Sequence, residues 1–178
     1  MITADQLRLI MPAAKARADQ YVGPLNAAMS EYDINTPTRQ AAFLAQIAHE
    51  SGQLHHTREI WGPSEAQMRY EGRADLGNTK PGDGYRFRGR GLIQITGRAN
   101  YASCGAALGL PLLEKPELLE KPDGACKSAA WFWKTHGCNE LADVAAFSTI
   151  TRRINGGLNG QSDRVRYWTK AQAALEAT

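Results

Sequence analysis

Thr36-Pro37-Thr38-Arg39-Gln40-Ala41-Ala42-Phe43-Leu44-Ala45-Gln46-Ile47-Ala48-His49-Glu50-Ser51-Gly52 is the stretch that decides how this chain folds. It opens as helices open, with Thr as N-cap and Pro at the first helical position. Ala41, Phe43, Leu44, Ile47 and Ala48 make it apolar over a wide arc, so the helix is expected to be central and mostly buried. Helical steps back from Glu50 reach Ile47 and Phe43, which puts this carboxyl group at the end of the buried face. Partial desolvation there favours its protonated form. Gly52 suits a helix stop. The stop matters because Glu59 follows nine residues later. Continued as a helix, those residues would separate the two backbones by roughly 13 Å along the axis. A chain that turns at Gly52 can instead bring a second carboxylate back across a cleft.

Outward from that helix the sequence is ordinary. It has 178 residues, 43% hydrophobic and 22% charged, which fits one globular domain. No apolar run approaches the roughly 20 residues of a membrane span. The start, Met1-Ile2-Thr3-Ala4-Asp5-Gln6, lacks the basic and then apolar pattern of a signal peptide. A protein made in the cytosol, without stable membrane insertion, is therefore expected. Cys104, Cys126 and Cys138 are odd in number and widely spaced, against a disulfide framework. Reduced, partly buried thiols are expected, with a Cys126–Cys138 bridge left open. No CxxC pair suggests zinc, and His49-Glu50 lacks the second His of a metalloprotease motif, because Gln53 stands four residues on. Neither metal nor cofactor is expected. The net charge of +3 fits an anionic partner and also fits no particular partner.

Local signals predict seven or more helices and little strand. Thr3-Ala4-Asp5-Gln6 has the form of a capping box. A second helix is expected over about 14–32, interrupted near Gly23-Pro24. Residues 62–84 are polar and rich in Gly and Pro, and are expected to form a mobile loop or small lobe over a cleft, with short strands at most. Further helices are expected over about 98–108, 123–136, 143–154 and from Ser162 onward, with a loop and one turn over 111–122.

Glu65 and Glu71 compete with Glu59 for the role of second acid. Arg86-Phe87-Arg88-Gly89-Arg90-Gly91 resembles an RNA-binding Arg-Gly segment, but a single copy running into Leu92-Ile93-Gln94-Ile95 reads better as an ordered loop whose glycines allow close backbone approach. Gln94 and Thr96 alternate with Ile93 and Ile95, so their side chains can share one face. Asn155-Gly156-Gly157 can be a plain helix stop. Gln94 can be a buried amide that serves only the backbone.

Taken together, Ala48-His49-Glu50-Ser51-Gly52, Tyr85 through Thr96 with Asn100-Tyr101, and Ile154-Asn155-Gly156-Gly157 resemble glycoside hydrolase family 19, which holds plant-type chitinases and many phage endolysins. The order agrees from about residue 36 onward. The compact length is more like the endolysin branch. The resemblance implies a mainly α, lysozyme-like, two-lobed domain with a substrate cleft, spanning 1–178 as one catalytic unit. It implies Glu50 as general acid and Glu59 as general base for inverting hydrolysis. It makes Thr96 the hydroxyl that helps hold the attacking water. Gln94, Asn100, Tyr101 and Asn155 match sugar-contacting positions. Arg164 corresponds to a cation near the carboxylates, expected to keep Glu59 ionised while burial keeps Glu50 protonated. The implied activity is that of a peptidoglycan-cleaving endolysin. It would cut β-1,4 bonds between N-acetylmuramic acid and N-acetylglucosamine, with a chitinase or a non-catalytic wall-binding module as alternatives. The expected partner is bacterial peptidoglycan and not nucleic acid. The expected life of the protein is as a monomer accumulating in a host cytoplasm and reaching the wall with the help of a holin.

Overall fold

A computed structural model describes residues 1–176. Among the described residues there are ten α-helices and no paired strand beyond isolated bridges. They are α1 (Ala4–Ile10), α2 (Arg17–Glu31), α3 (Pro37–Glu50), α4 (Glu65–Met68), α5 (Asp83–Arg86), α6 (Arg98–Leu108), α7 (Pro122–Thr135), α8 (Cys138–Asp143), α9 (Phe147–Asn155) and α10 (Gln161–Glu176).

The central helix behaves as its composition demands. Every residue of α3 from Ala41 to Ala48 is buried, as befits a helix that is apolar nearly all round. It packs along α10 and contacts α1 and α8, and α2 packs on α7. The main core gathers Phe43, Leu44, Ile47, Trp133 and Ile150, with Phe43 edge-on to Trp133 at 5.3 Å. A second, smaller core holds Phe87, Ile95, Tyr101, Cys104, Leu112 and Leu119. Phe132 packs against both cores and joins them.

The expected break at Gly23-Pro24 is absent, and α2 runs through both residues. Proline removes one donor and disfavours the helical form of the residue before it. Here that residue is glycine, which has no Cβ to clash. Buried Ala18 and Tyr21 before the pair, and Leu25, Ala28 and Met29 after it, hold the helix in register across the defect. The helix expected over about 143–154 is present as α9 but begins later, at Phe147, and a further helix, α8, precedes it. Ala145, in the left-handed region at φ 56°, stands between the two. The three thiols are free and buried. Burial pushes Cys104 and Cys138 up to about 12.

Residues 62–84 contain no strand. They fold as α4, a short 3₁₀ turn at Ala74–Leu76 and the start of α5. Buried Asn78 accepts the Arg98 N–H and donates to the Tyr70 carbonyl. Buried Asp83 is gripped by the Arg98 guanidinium at 2.6 and 2.8 Å. The segment is thereby tied to α6.

Candidate active site

The chain turns after Glu50 by a left-handed coil and not by glycine alone. Gly52, Gln53 and Leu54 have φ of 57°, 60° and 65°, and the latter two carry the steric cost of that region. Ser51 holds the coil. Its buried hydroxyl donates to the Ile47 carbonyl at 2.7 Å and accepts the Leu54 N–H at 2.8 Å. Its carbonyl accepts the N–H groups of both His55 and His56.

Glu50 is 23% exposed and its Oε1 lies 2.6 Å from Nη2 of Arg164, which is fully buried. The two charges touch without hydrogen-bond alignment. Arg164 also donates to buried Gln46 at 2.6 Å, and Gln46 donates to Thr151 of α9 at 2.9 Å. Gln46 lies one helical turn before Glu50, so both reach the same guanidinium. A parallel pair sits one residue back on each helix, where His49 Nδ1 and Asp163 Oδ2 are 2.7 Å apart. Gly160 packs so closely on His49 that a side chain there would overlap the imidazole.

Glu59 is held differently. Its Oε1 accepts the Gly89 N–H at 2.6 Å, and its own N–H donates to the Gly89 carbonyl at 2.9 Å. Its Oε2 accepts from the Gln67 amide at 3.1 Å, with the Tyr70 hydroxyl at 3.5 Å. Gln67 is nearly saturated. The same amide nitrogen donates to the Ile60 carbonyl, and its oxygen accepts from Ser64 and Gly62. Gly89 lies close under both side chains, because a Cβ there would lie 2.6 Å from Gln94 Oε1 and 3.2 Å from Thr96 Oγ1. Glu59, Gln94 and Thr96 therefore meet around one backbone unit.

Two cavities flank that unit. One, of about 650 Å³, is lined by Glu59, Trp61, Tyr85, Arg58, Arg88 and the neighbouring His55–His56 pair. The other, of about 210 Å³, is lined by Gln94, Thr96, Asn100, Trp131, Phe132 and His136. Gln94 stands exposed above buried Ile93 and Ile95, as the alternation predicts, and is not a buried amide. Glu50 is not part of the first cavity's lining, but His56, which is, packs on Gly52 two residues after it.

Several expectations require correction. Arg164 pairs with Glu50 and not with Glu59, and its full burial makes it a support for a carboxylate and not a sugar contact. Tyr101 is also fully buried, with its hydroxyl donating to the Arg88 carbonyl at 2.6 Å and accepting from Arg90 at 3.0 Å. It braces the Arg-Gly loop from inside and cannot face a ligand. Asn100 lines the smaller cavity with its amide donating to the Thr96 carbonyl. Asn155 is exposed at the end of α9. Of the rival acids, Glu65 is 86% exposed beside Arg69, and Glu71 accepts the N–H groups of Gly82 and Gly84. Neither lines the larger cavity.

Comparison with known proteins agrees with this architecture. The sequence profile of glycoside hydrolase family 19, described as chitinase class I, matches residues 19–146. A glycosyl hydrolase family 19 domain-containing protein of Haemophilus influenzae is 38% identical over 157 residues, covering 73% of this chain and 76% of that relative. An endochitinase of Arabidopsis thaliana is 42% identical over 118 residues, 66% of this chain but only 39% of that relative's length. The crystal structure of chitinase C from Streptomyces griseus superposes with a TM-score of 0.80 at 27% identity, over 98% of this chain and 76% of that one. The mainly helical, lysozyme-like fold, the profile match and the identity to the Haemophilus relative lead to one conclusion: this chain is a glycoside hydrolase and belongs to family 19.

Proposed function

We propose that the chain hydrolyses β-1,4 bonds between N-acetylated amino sugars of bacterial peptidoglycan, with inversion, and acts as an endolysin. The observation that carries this reading is the contrast between its two acids. Glu59 sits in a large cavity with both oxygens already hydrogen-bonded and no cation paired to it among the described residues. Held this way it is the base that takes a proton from water. Glu50, at the end of α3, is the acid that protonates the leaving oxygen. Arg164 aims its carboxyl group until substrate arrives, and Thr96 assists the water from across Gly89. Trp61 and Tyr85, 5.3 Å apart and edge to face, offer ring faces to sugar rings. Gln94 and Asn100 offer donors and acceptors to hydroxyl and acetamido groups.

The guanidinium groups of Arg58 and Arg88 in the larger cavity favour a wall polymer bearing carboxylates over neutral chitin. In lysis the enzyme would accumulate in the host cytoplasm and reach the wall through a holin-opened membrane. Chitin is the second reading, favoured by relatives and structural neighbours that are named chitinases. Mass spectrometry of digests separates the two. Muropeptides with a new reducing-end amino sugar from purified peptidoglycan support the first reading. Products from chitin hexasaccharide alone would replace it with the second.

A further inference from the structure

The two cavities on either side of the Glu59–Gly89–Thr96 unit differ in chemistry. The smaller is walled by amides, a hydroxyl, aromatic rings and one imidazole, the groups a neutral N-acetylated sugar needs. The larger carries two guanidinium groups that no neutral sugar requires.

The charges around the larger cavity can be followed one by one. It contains two acids, Glu59 and Glu120. Glu120 is taken by Arg90, which is buried and binds it at 2.7 Å. Arg58 reaches the same carboxylate only at 3.5 Å and is 59% exposed. Glu59 is served by the Gly89 N–H and the Gln67 amide. Arg88 has no carboxylate partner among the described residues. Its guanidinium lies over the Tyr85 ring at 4.1 Å and donates once, to the Tyr85 carbonyl at 2.9 Å. A guanidinium has five N–H donors in a planar fork suited to carboxylate. Arg58 and Arg88 both line the cavity, and each makes a single side-chain donation, to Glu120 and to the Tyr85 carbonyl. His55 and His56, edge-on at 4.6 Å, add imidazole hydrogen-bonding groups at its wall.

We propose that Arg58 and Arg88 form a carboxylate-binding subsite beside Glu59, which selects glycans whose amino sugars carry acidic substituents. The inference rests on the wall-polymer reading above and goes one step further, because it assigns the preference to two residues. The carboxylate has two possible sources in such a glycan: the stem peptide, or the lactyl group exposed once the peptide is removed.

The test uses the full chain on matched substrates. Intact peptidoglycan and amidase-stripped glycan strands are each assayed before and after their carboxyl groups are amidated with methylamine and carbodiimide. Chitin hexasaccharide is a neutral reference. Wild type should lose about tenfold in kcat/KM on amidation, the size of one charge-assisted contact. A loss confined to intact wall identifies the stem peptide, and a loss confined to stripped strands identifies the lactyl group. Arg58→Gln, on an exposed side chain, should remove most of the ratio between acidic and amidated forms, and Arg88→Gln should do the same. Equal turnover of acidic and amidated glycans by wild type overturns the subsite and leaves the peptidoglycan reading intact. So does a variant that falls equally on every substrate. Wild type that cuts the hexasaccharide and neither glycan overturns both.

Discussion

Glu50 hangs from the end of a buried helix and is gripped by a guanidinium that is itself wholly inside the protein. Glu59 stands in a loop and is gripped by one backbone N–H and one glutamine side chain. The first carboxylate is placed by the packing of α3 on α10, and so by the main core. The second is placed by α4, a four-residue helix whose capping box supplies Gln67. One acid is therefore coupled to global stability and the other to a local clamp, which is where mutations should separate them.

The largest effect is expected from removing the acids. Glu50→Gln and Glu59→Gln should each lower kcat roughly 10²–10⁴-fold. Their melting temperatures should differ. Glu50→Gln leaves Arg164 buried without its counter-charge and should melt lower. Glu59→Gln keeps an oxygen for the Gly89 N–H and loses only the Gln67 donation, so it should melt closer to wild type. Equal melting temperatures would break the comparison, and a lytic Glu59→Gln beside a dead Glu71→Gln would show that the base is misassigned.

The supports come next. Arg164→Ala should cost about 2–3 kcal/mol of stability, a buried pair discounted for the partial exposure of Glu50, and most of the activity with it. Gln67→Met keeps volume and loses the amide, so it should cost roughly tenfold in kcat/KM. The loss should fall on kcat, because Gln67 orients Glu59, and a variant whose kcat is unchanged would reduce Gln67 to a loop-folding residue.

The smallest effect concerns the loop that carries Gln67. The Arg98 guanidinium holds the Asp83 carboxyl below the usual carboxylate range. A lowered folded-state pKa contributes stability that is full above the unfolded value, about 3.9, and is lost as pH falls through the folded value. Asp83→Asn should therefore be less stable than wild type at pH 7 by about 1–2 kcal/mol, with the gap narrowing below about pH 4. A gap that persisted in acid would mean that the loss was packing and not charge.

What the sequence revealed, and what it hid, follow the same division. The burial of α3, the placement of Glu50 at its end and the alternation that exposes Gln94 are local properties, and patterns of three, four and two residues report them. The partner of Arg164 is not local. The cation was evident, but which acid it meets depends on how α10 lies along α3. The family resemblance makes Tyr101 a ligand contact, and only tertiary packing turns it inward. Gln46 left a signal that went unread, the one amide between Ala41 and Ala48 in an otherwise apolar run. So did Gln67, since Ser64-Glu65-Ala66-Gln67 spells a capping box inside a segment expected to be a mobile loop or small lobe.

The coil at residues 52–54 has a consequence for how this chain can vary. Surface connections elsewhere accept extra or missing residues at little cost. Between Glu50 and Glu59 the path is wound in the disfavoured hand and pinned by one serine, so its length acts as a ruler. One residue more or fewer there would leave α3 and both cores folded and still move the base away from the acid. Natural and engineered length changes should be tolerated in the molecule's other surface connections before they are tolerated there.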